Sequence, residues 1–314
     1  MLGRTANGLF WMFRYLERVE NTGRLLDAGL RMALTRDSVT AEEEWRSVIS
    51  TAGQKRGYEA KHGTYTGVQA WNYILRDRDN PASVTEMFDR VRTNARLARN
   101  AISGEVWEAI NESWMEIRDL LSRPVGQNHV GEAIAMVRRA GTLAHGAMTG
   151  SMLRDESFHF ARAGTFIERF DSTSRILDIK YYLLLPSLSY VGSSLDTGQW
   201  DTVLRSVSGD RAYRWINAGN IDARGIVEFL VLDDRFPRSL AFCQSALRQN
   251  LAALARIHGR EGRSNELMRQ ADTQLSSLTI EEIFDMGLHQ FLLESMASNA
   301  GIAAAIAEDY RFLR

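Results

Sequence analysis

The chain has 314 residues, of which 45% are hydrophobic and 25% charged, and its formal net charge is -1. A chain of this length accommodates one large domain or two of ordinary size. Because acidic and basic residues balance and no basic run occurs, nothing suggests a general affinity for nucleic acid. The single cysteine, Cys243, excludes an intramolecular disulfide and is typical of a reducing compartment.

Export and membrane insertion are not indicated by the apolar segments of the chain. Arg4 and Arg14 interrupt the N-terminal segment, which lacks a small-residue cleavage site and so does not resemble a signal peptide. The longest apolar run, around residues 181–186, is far too short to span a bilayer. We therefore expect a cytoplasmic protein.

Helical periodicity dominates the sequence, and no convincing strand pattern occurs between turn signals. The chain has only four prolines, as long uninterrupted helices require. We predict an all-α fold, with Pro186 ending a long helix and the main loops at residues 53–67, 187–198 and 206–220. The predicted helices span residues 5–34, 41–51, 66–77, 82–102, 104–122, 128–150, 153–185, 197–207, 222–232, 236–257, 262–275 and 278–311.

An eleven-residue phrase occurs twice, at residues 17–27 and 168–178, an offset of 151 residues. Six of its eleven positions are identical, and the acid at Glu20 is kept as Asp171. A self-match of this length predicts a duplicated architecture.

Further matches follow in the same order along the two halves of the chain. Trp45 and Tyr58 match residues 155 positions later, and Asp77, Pro81, Ser83, Arg92 and Asn94 match residues 156 positions later. We predict two pseudo-symmetric helical repeats, 1–152 and 153–314, that together form one structural unit. The bundle could be elongated or compact.

The phrase places charges beside an apolar stripe on each of its helices. Leu9, Met12, Leu16, Val19, Gly23, Leu26 and Leu30 recur at alternating spacings of three and four residues, and the second copy repeats this pattern from Phe160 to Tyr181. At about 100° per residue, four charged positions of each copy fall on one flank of the stripe. These candidate binding residues are Glu17, Glu20, Arg24 and Asp27 in the first copy and Glu168, Asp171, Arg175 and Asp178 in the second.

Two interpretations of these charges stay open. Carboxylates can hold a cation or an amine, or act as general acid or base, and arginines can grip a carboxylate or phosphate with two prongs. The eight residues would then form one shared site if the two helices meet. Alternatively, acid and arginine four residues apart form a partly buried structural ion-pair network that a duplication copies.

Other chemical signals in the sequence are weaker. Glu156-x-x-His159 and Glu59-x-x-His62 match the spacing of a di-iron motif, but they do not occupy equivalent positions in the two repeats. We therefore expect no metal site and no cofactor. Cys243 is interpreted as a buried structural thiol. Three further histidines are interpreted as isolated packed or surface residues: His145, His258 and His289.

The opening of the chain resembles the bacterial alpha-E family. The resemblance is carried by Arg4, Trp11, Arg14-Tyr15-Leu16-Glu17-Arg18, Glu20-Asn21 and Arg24-Leu25-Leu26, by residues 162–187 around Glu168-Arg169, and by Phe229-Leu230 through Phe236-Pro237-Arg238-Ser239. It implies an all-helical protein. It also implies genomic association with a circularly permuted ATP-grasp ligase-like protein, and frequently with a transglutaminase-like peptidase and a proteasome-like hydrolase.

Three functions are compatible with this resemblance. The first is a helical accessory or substrate-binding module that acts with the ATP-grasp amide ligase in making or modifying a peptide or small metabolite. The second is an enzyme in its own right that uses the Glu/Asp/Arg cluster on an amino-acid or peptide substrate. The third is a dimerisation scaffold without a ligand. No membrane or nucleic-acid partner is expected, and self-association stays open.

Overall fold

The computed structural model describes residues 1–34, 38–183, 194–217 and 221–312, and their side chains except those of residues 38–40, 179–183 and 194–197. These residues form helices and connecting turns, with no strand among them, which confirms the all-α prediction. The helices of the first half are α1 (Gly3–Ala33), α2 (Ser38–Thr51), α3 (Lys55–Glu59), α4 (Gly67–Arg76), α5 (Val84–Leu97), a 3₁₀ turn (Arg99–Ala101), α6 (Gly104–Leu120) and α7 (Val130–Ser151). Those of the second half are α8 (Glu156–Leu183), α9 (Ser194–Ser206), α10 (Asp210–Ile216), α11 (Ala223–Val231), α12 (Leu240–His258), α13 (Arg263–Ser276), α14 (Ile280–Met286) and α15 (Leu288–Asp309).

The chain divides into two compact units. One unit comprises Tyr15–Met152, and the other combines Met1–Arg14 with Leu153–Arg314. The long helix α1 therefore contributes its first turns to one unit and the rest to the other. The predicted repeats, 1–152 and 153–314, describe how the sequence could have arisen by duplication, whereas the compact units describe how it packs. The division into repeats stays a prediction.

The apolar stripes of α1 and α8 lie in the core of the protein. Leu9, Met12, Leu16, Val19 and Leu26 are fully buried, and Leu30 is partly exposed. Their counterparts on α8 are also buried: Phe160, Ala163, Ile167, Phe170, Ser174 and Leu177. Tyr181 of the predicted stripe has no described side chain. Apolar burial thus fixes which face of each helix points inward and places the charged flank at the edge of the core.

Serines at matching sequence positions of the two halves each cap a helix. The Ser83 hydroxyl accepts a hydrogen bond from the backbone N–H of Glu86 at the start of α5, and the Ser239 hydroxyl accepts one from Phe242 at the start of α12. Both serines are fully buried. The matched Asp-x3-Pro-x-Ser blocks therefore work as a turn followed by a helix N-cap.

We expect Ser83→Ala and Ser239→Ala each to lower the free energy of unfolding by about 1 kcal/mol, because each leaves a first-turn N–H without its capping acceptor. Urea denaturation followed by circular dichroism measures the change. Ser276→Ala on the exposed end of α13 is the control and should change stability by less than about 0.5 kcal/mol. An equal loss in all three variants would contradict the capping role.

Two predicted loops contain short helices, so the loop predictions over 53–67 and 206–220 are wrong in part. Helices α3 and α10 lie there and carry Tyr58 and Tyr213, which are both fully buried. Burial raises the pKa of each tyrosine to about 12. A single buried aromatic residue holds each helix in place, and helices of five to seven residues are too short to show a periodic pattern.

The predicted helix over 278–311 is also wrong in part, because it is interrupted at Gly287. This residue adopts φ +88°, which an α-helix cannot contain, and it separates α14 from α15. Pro186 and most of the predicted loop at 187–198 lie outside the described residues.

Candidate functional site

Glu17 and Glu20 are buried acidic residues on α1. Their residues are 0% and 4% exposed, although both were predicted only to flank the apolar stripe. They lie three positions apart, so their carboxylates point to the same side of the helix. Burial of two neighbouring carboxylates is unfavourable unless positive charges or hydrogen-bond donors compensate it. We therefore expect such groups beside Glu17 and Glu20.

Helix α7 places a histidine beside these two carboxylates. Nε2 of His145 lies 3.3 Å from Oε2 of Glu17 and 3.9 Å from Oε2 of Glu20. We refer to Glu17, Glu20 and His145 as the acid–histidine cluster. One ligand atom from each of its residues lies within 4.8 Å of the other two.

Gly141, one turn before His145 on α7, makes room for the cluster. A Cβ atom at this position would lie 2.7 Å from Oε2 of Glu20 and 2.9 Å from its Cβ, which are closer than real contacts allow. Only glycine therefore lets the Glu20 side chain pass between the helices without a shift.

Arg24 and Asp27 extend the first copy of the phrase along α1. Nη2 of Arg24 donates to Oε1 of Glu20, as the spacing of four residues predicts. Asp27 accepts hydrogen bonds from Arg31 at 3.2 Å and from Arg138 on α7 at 3.1 Å. The structure thus brings Glu17, Glu20 and Arg24 together with His145, which the sequence analysis did not associate with them.

The second copy of the phrase lies on α8 and is organised as pairs. Glu168 is 2% exposed and accepts from Nε of Arg14 at 3.1 Å. Asp171 pairs with Arg175 at 2.7 Å, and the Arg175 side chain is 53% exposed. Asp178 lies 2.5 Å from Nδ1 of His289 on α15.

The eight predicted binding residues therefore divide between the two compact units, four in each. The hypothesis that they form one shared site stays a prediction. Within the first copy Glu17 and Glu20 converge on His145, whereas the described contacts of the second copy are three separate pairs, to α1, within α8 and to α15.

The prediction that His145, His258 and His289 are isolated is wrong, because each lies against a carboxylate. Nε2 of His258 is 3.1 Å from Oε2 of Glu156. No pattern in the sequence could pair these residues, since each pair is more than 100 positions apart and joins two separate helices. The helical periodicity of α7 identifies which of its residues are buried, but it does not identify the residues of α1 that they contact.

The two Glu-x-x-His motifs do not form ligand sets. His159 contacts Oδ1 of Asn250 through Nδ1 at 2.8 Å, while Glu156 turns to His258. In the other motif, Glu59 accepts from the hydroxyl of Tyr65, and the His62 ring packs on Tyr58. In both motifs acid and histidine therefore face different partners.

A cavity of about 60 Å³ lies within the larger unit, among helices α8, α12, α13 and α15. Space of this size holds a few waters or one small chemical group. Phe166, Phe170 and Met268 form apolar walls. Polar side chains also line it, including Gln244, Ser298 and Asn299, and none of the eight predicted binding residues does so. Oε1 of Gln244 is buried and has no hydrogen-bond partner among the described residues.

Cys243 lines the same cavity and is 1% exposed. Its thiol points towards the backbone oxygen of Pro237 at 3.9 Å. This placement agrees with the interpretation of a buried structural thiol rather than an accessible nucleophile.

These features define an all-helical chain with a buried glutamate, followed by a partly exposed arginine, on a long helix of each half. A family model described as a predicted alpha-helical domain with a conserved ER motif matches residues 1–311. The chain therefore belongs to the Alpha-E family. Its two Glu-Arg dipeptides, at residues 17–18 and 168–169, begin the two copies of the repeated phrase.

Similar proteins occur in mycobacteria. Uncharacterized proteins of Mycobacterium bovis and Mycobacterium tuberculosis are each 23% identical to the chain over 324 aligned residues. The match covers 97% of this chain but only 36% of each relative, so the chain spans about a third of their length. No solved structure is significantly similar to the chain. None of the helices in the described ranges is both long and apolar enough to cross a membrane.

Proposed function

We propose that the chain is a helical accessory module that binds a peptide or small-metabolite substrate and acts with an ATP-grasp amide ligase. The observation that supports the modular part of the proposal is the extent of the match to the mycobacterial proteins, 97% of this chain against 36% of theirs. A domain that aligns from end to end with a minor part of longer proteins behaves as a module that other parts of a system complement.

The cavity of the larger unit supports the substrate-binding part of the proposal. Its apolar walls suit a hydrocarbon group, and Gln244 places an unsatisfied amide oxygen at the same cavity. One small apolar group of a peptide-like ligand, with an N–H donor beside it, matches this combination. The proposal assigns no nucleotide chemistry to this chain, because its sequence contains no recognisable phosphate-binding loop.

The experiment uses the chain together with a circularly permuted ATP-grasp ligase from the same genome. Gel filtration with light scattering should show a complex of the two proteins, and ligation of peptide substrates should be at least about tenfold faster in its presence. Absence of a complex, with ligation unchanged when the chain is omitted, would contradict the proposal. A dimer of the chain alone, without any effect on the ligase, would favour the scaffold interpretation.

A matched pair of variants tests the cavity. Gln244→Leu should keep the complex but lose most of the stimulation at low substrate concentration, because the buried acceptor is removed. Gln249→Leu lies on the exposed side of the same helix, α12, and should behave as the wild type. Equal stimulation by both variants would remove the cavity from the substrate-binding site.

A second candidate function is an enzyme that acts without the ligase, and the buried cluster of Glu17, Glu20 and Arg24 favours it. Such clusters of ionisable groups are frequent at catalytic sites. Product formation from amino acids or peptides by the chain alone, abolished in Glu17→Gln while folding is kept, would support this function. If Glu17→Gln and wild type form product equally, the cluster is not catalytic.

A further inference from the structure

We propose that the acid–histidine cluster of Glu17, Glu20 and His145 binds one divalent transition-metal ion. The proposal departs from the expectation of no metal site, which was based on sequence motifs alone. It does not depend on the proposed function, since a metal ion could serve a binding module or an enzyme.

The donor set selects the class of metal. Carboxylate oxygens suit Mg²⁺, Ca²⁺ and Mn²⁺, whereas imidazole suits Zn²⁺, Fe²⁺ and similar ions. A site with two carboxylates and one imidazole therefore fits Zn²⁺, Mn²⁺ or Fe²⁺ better than Ca²⁺ or Mg²⁺. Three protein ligands leave at least one coordination position for water or a substrate atom.

The distances also fit a shared ion. Metal–ligand bonds of about 2.1 Å place two ligand atoms roughly 3.0 to 3.4 Å apart in octahedral or tetrahedral geometry. Nε2 of His145 and Oε2 of Glu17 are separated by 3.3 Å, which is within this range. Oε2 of Glu20 lies 3.9 Å from the same nitrogen, so a small side-chain rotation brings it into place.

The surroundings of Glu20 orient its carboxylate towards His145. Arg24 binds Oε1 of Glu20, and the other oxygen, Oε2, faces the imidazole. Such outer contacts fix the direction of first-shell ligands in metal sites. Gly141 provides the space in which Oε2 lies, since a Cβ there would collide with this oxygen.

The second half of the chain lacks this arrangement at the equivalent positions. His145 corresponds to Met296 at the offset of 151 residues and to Gly301 at the offset of 156 that the later matches have, and Gly141 corresponds to Leu292 or Ala297. The shorter Asp171 stands where Glu20 would be. The glycine, the histidine and the longer acid therefore occur together in one copy only, which predicts a single metal ion per chain.

The competing explanation is that the three side chains form a structural cluster by direct contact with one another. Only the first explanation requires a metal. Isothermal titration of the metal-free full chain with Zn²⁺ and, separately, Mn²⁺ distinguishes them. We expect one ion to bind per chain, and absence of binding would overturn the proposal.

Matched variants locate the ion. His145→Gln and Glu17→Gln should each weaken Zn²⁺ binding by more than about 100-fold, and Arg24→Gln by about 10–100-fold through loss of ligand orientation. His129→Gln, at the exposed start of the same helix α7, should bind as the wild type. Unchanged affinity in a folded His145→Gln protein would overturn the proposal.

If these variants do not fold, the visible spectrum of Co²⁺ bound to the wild type provides an independent test. Co²⁺ replaces Zn²⁺ in most sites, and its visible spectrum reports the ligands and their number. Oxygen and nitrogen ligation, without a thiolate band from Cys243, is expected. A thiolate band would overturn the assignment to these three residues.

Discussion

Arg14→Met is expected to lower the free energy of unfolding by about 1.5–3 kcal/mol, because it removes a charged hydrogen bond from the buried carboxylate of Glu168. Nε of Arg14 donates to Oε2 of Glu168 at 3.1 Å, and the two side chains are 15% and 3% exposed. Methionine keeps the apolar stem but removes the donor, so Glu168 loses a charged hydrogen bond in a buried position. The guanidinium also lies 4.4 Å from the centre of the Trp11 ring, an attraction that the variant loses too.

Urea denaturation of two comparison proteins tests this explanation. Arg175→Met breaks the pair with Asp171, but the Arg175 side chain is 53% exposed, so the loss should not exceed about 0.5 kcal/mol. The double variant Arg14→Met/Glu168→Met should recover most of the lost stability, since apolar replacement of a buried pair is close to neutral. Equal losses at Arg14 and Arg175, or no recovery in the double variant, would show that the Glu168 pair is not the cause.

Gly164→Ala is expected to destabilise the protein by about 3 kcal/mol or more, which is the upper part of the range for overpacking. Gly164 lies on α8 against the backbone of Phe10 on α1, within the unit that contains both residues. A Cβ would collide with the Phe10 carbonyl oxygen and lie 3.0 Å from the carbonyl carbon. Backbone atoms cannot rotate away as a side chain can, so the two helices would have to separate.

Gly146→Ala is the matched control for Gly164→Ala. Gly146 lies inside α7, and a Cβ there meets no atom within 4 Å. Because alanine is the better helix former, this variant should gain about 0.5–1 kcal/mol. Thermal unfolding of both variants measures the contrast. A Gly164→Ala protein as stable as the wild type would contradict the close approach of α1 and α8.

Most helices could be predicted from the sequence, because apolar residues recur at helical spacing over ten residues or more. The buried stripe of α1 and the flanking position of Glu20 followed from the same periodicity. Helices α3 and α10 could not be predicted, since each is shorter than two turns and depends on one buried tyrosine. The interruption at Gly287 depends on a positive φ angle, which glycine permits but does not require.

The candidate site could be predicted only in part. Periodicity placed Glu17, Glu20 and Arg24 on one flank of α1, and the repeated phrase singled them out. It could not identify His145, because the packing of α7 on α1 depends on tertiary contacts between residues 128 positions apart in the chain. Gly141 was the one local indication of this contact, because a glycine inside a helix, one turn from a histidine, suggests that another side chain packs closely there. The local sequence does not show which residue that is.

The duplication stays a prediction, and contacts at matching positions of the two halves agree with it. Asp27 contacts Arg138, and Asp178 contacts His289; both pairs are 111 positions apart, and both connect the repeated phrase to a later helix of its half. The equivalent caps Ser83 and Ser239 follow the same pattern. We interpret the two halves as copies that kept their framework, with the acid–histidine cluster present in the first alone.

The central claim is that the first copy of the phrase has become a ligand site while the second braces the fold. Anomalous diffraction from wild-type crystals grown with Zn²⁺, recorded on both sides of the zinc absorption edge, tests it most directly. We predict one strong peak within about 2.3 Å of Oε2 of Glu17, Oε2 of Glu20 and Nε2 of His145. A peak beside Glu168 or Asp178, or none at the acid–histidine cluster, would contradict the claim.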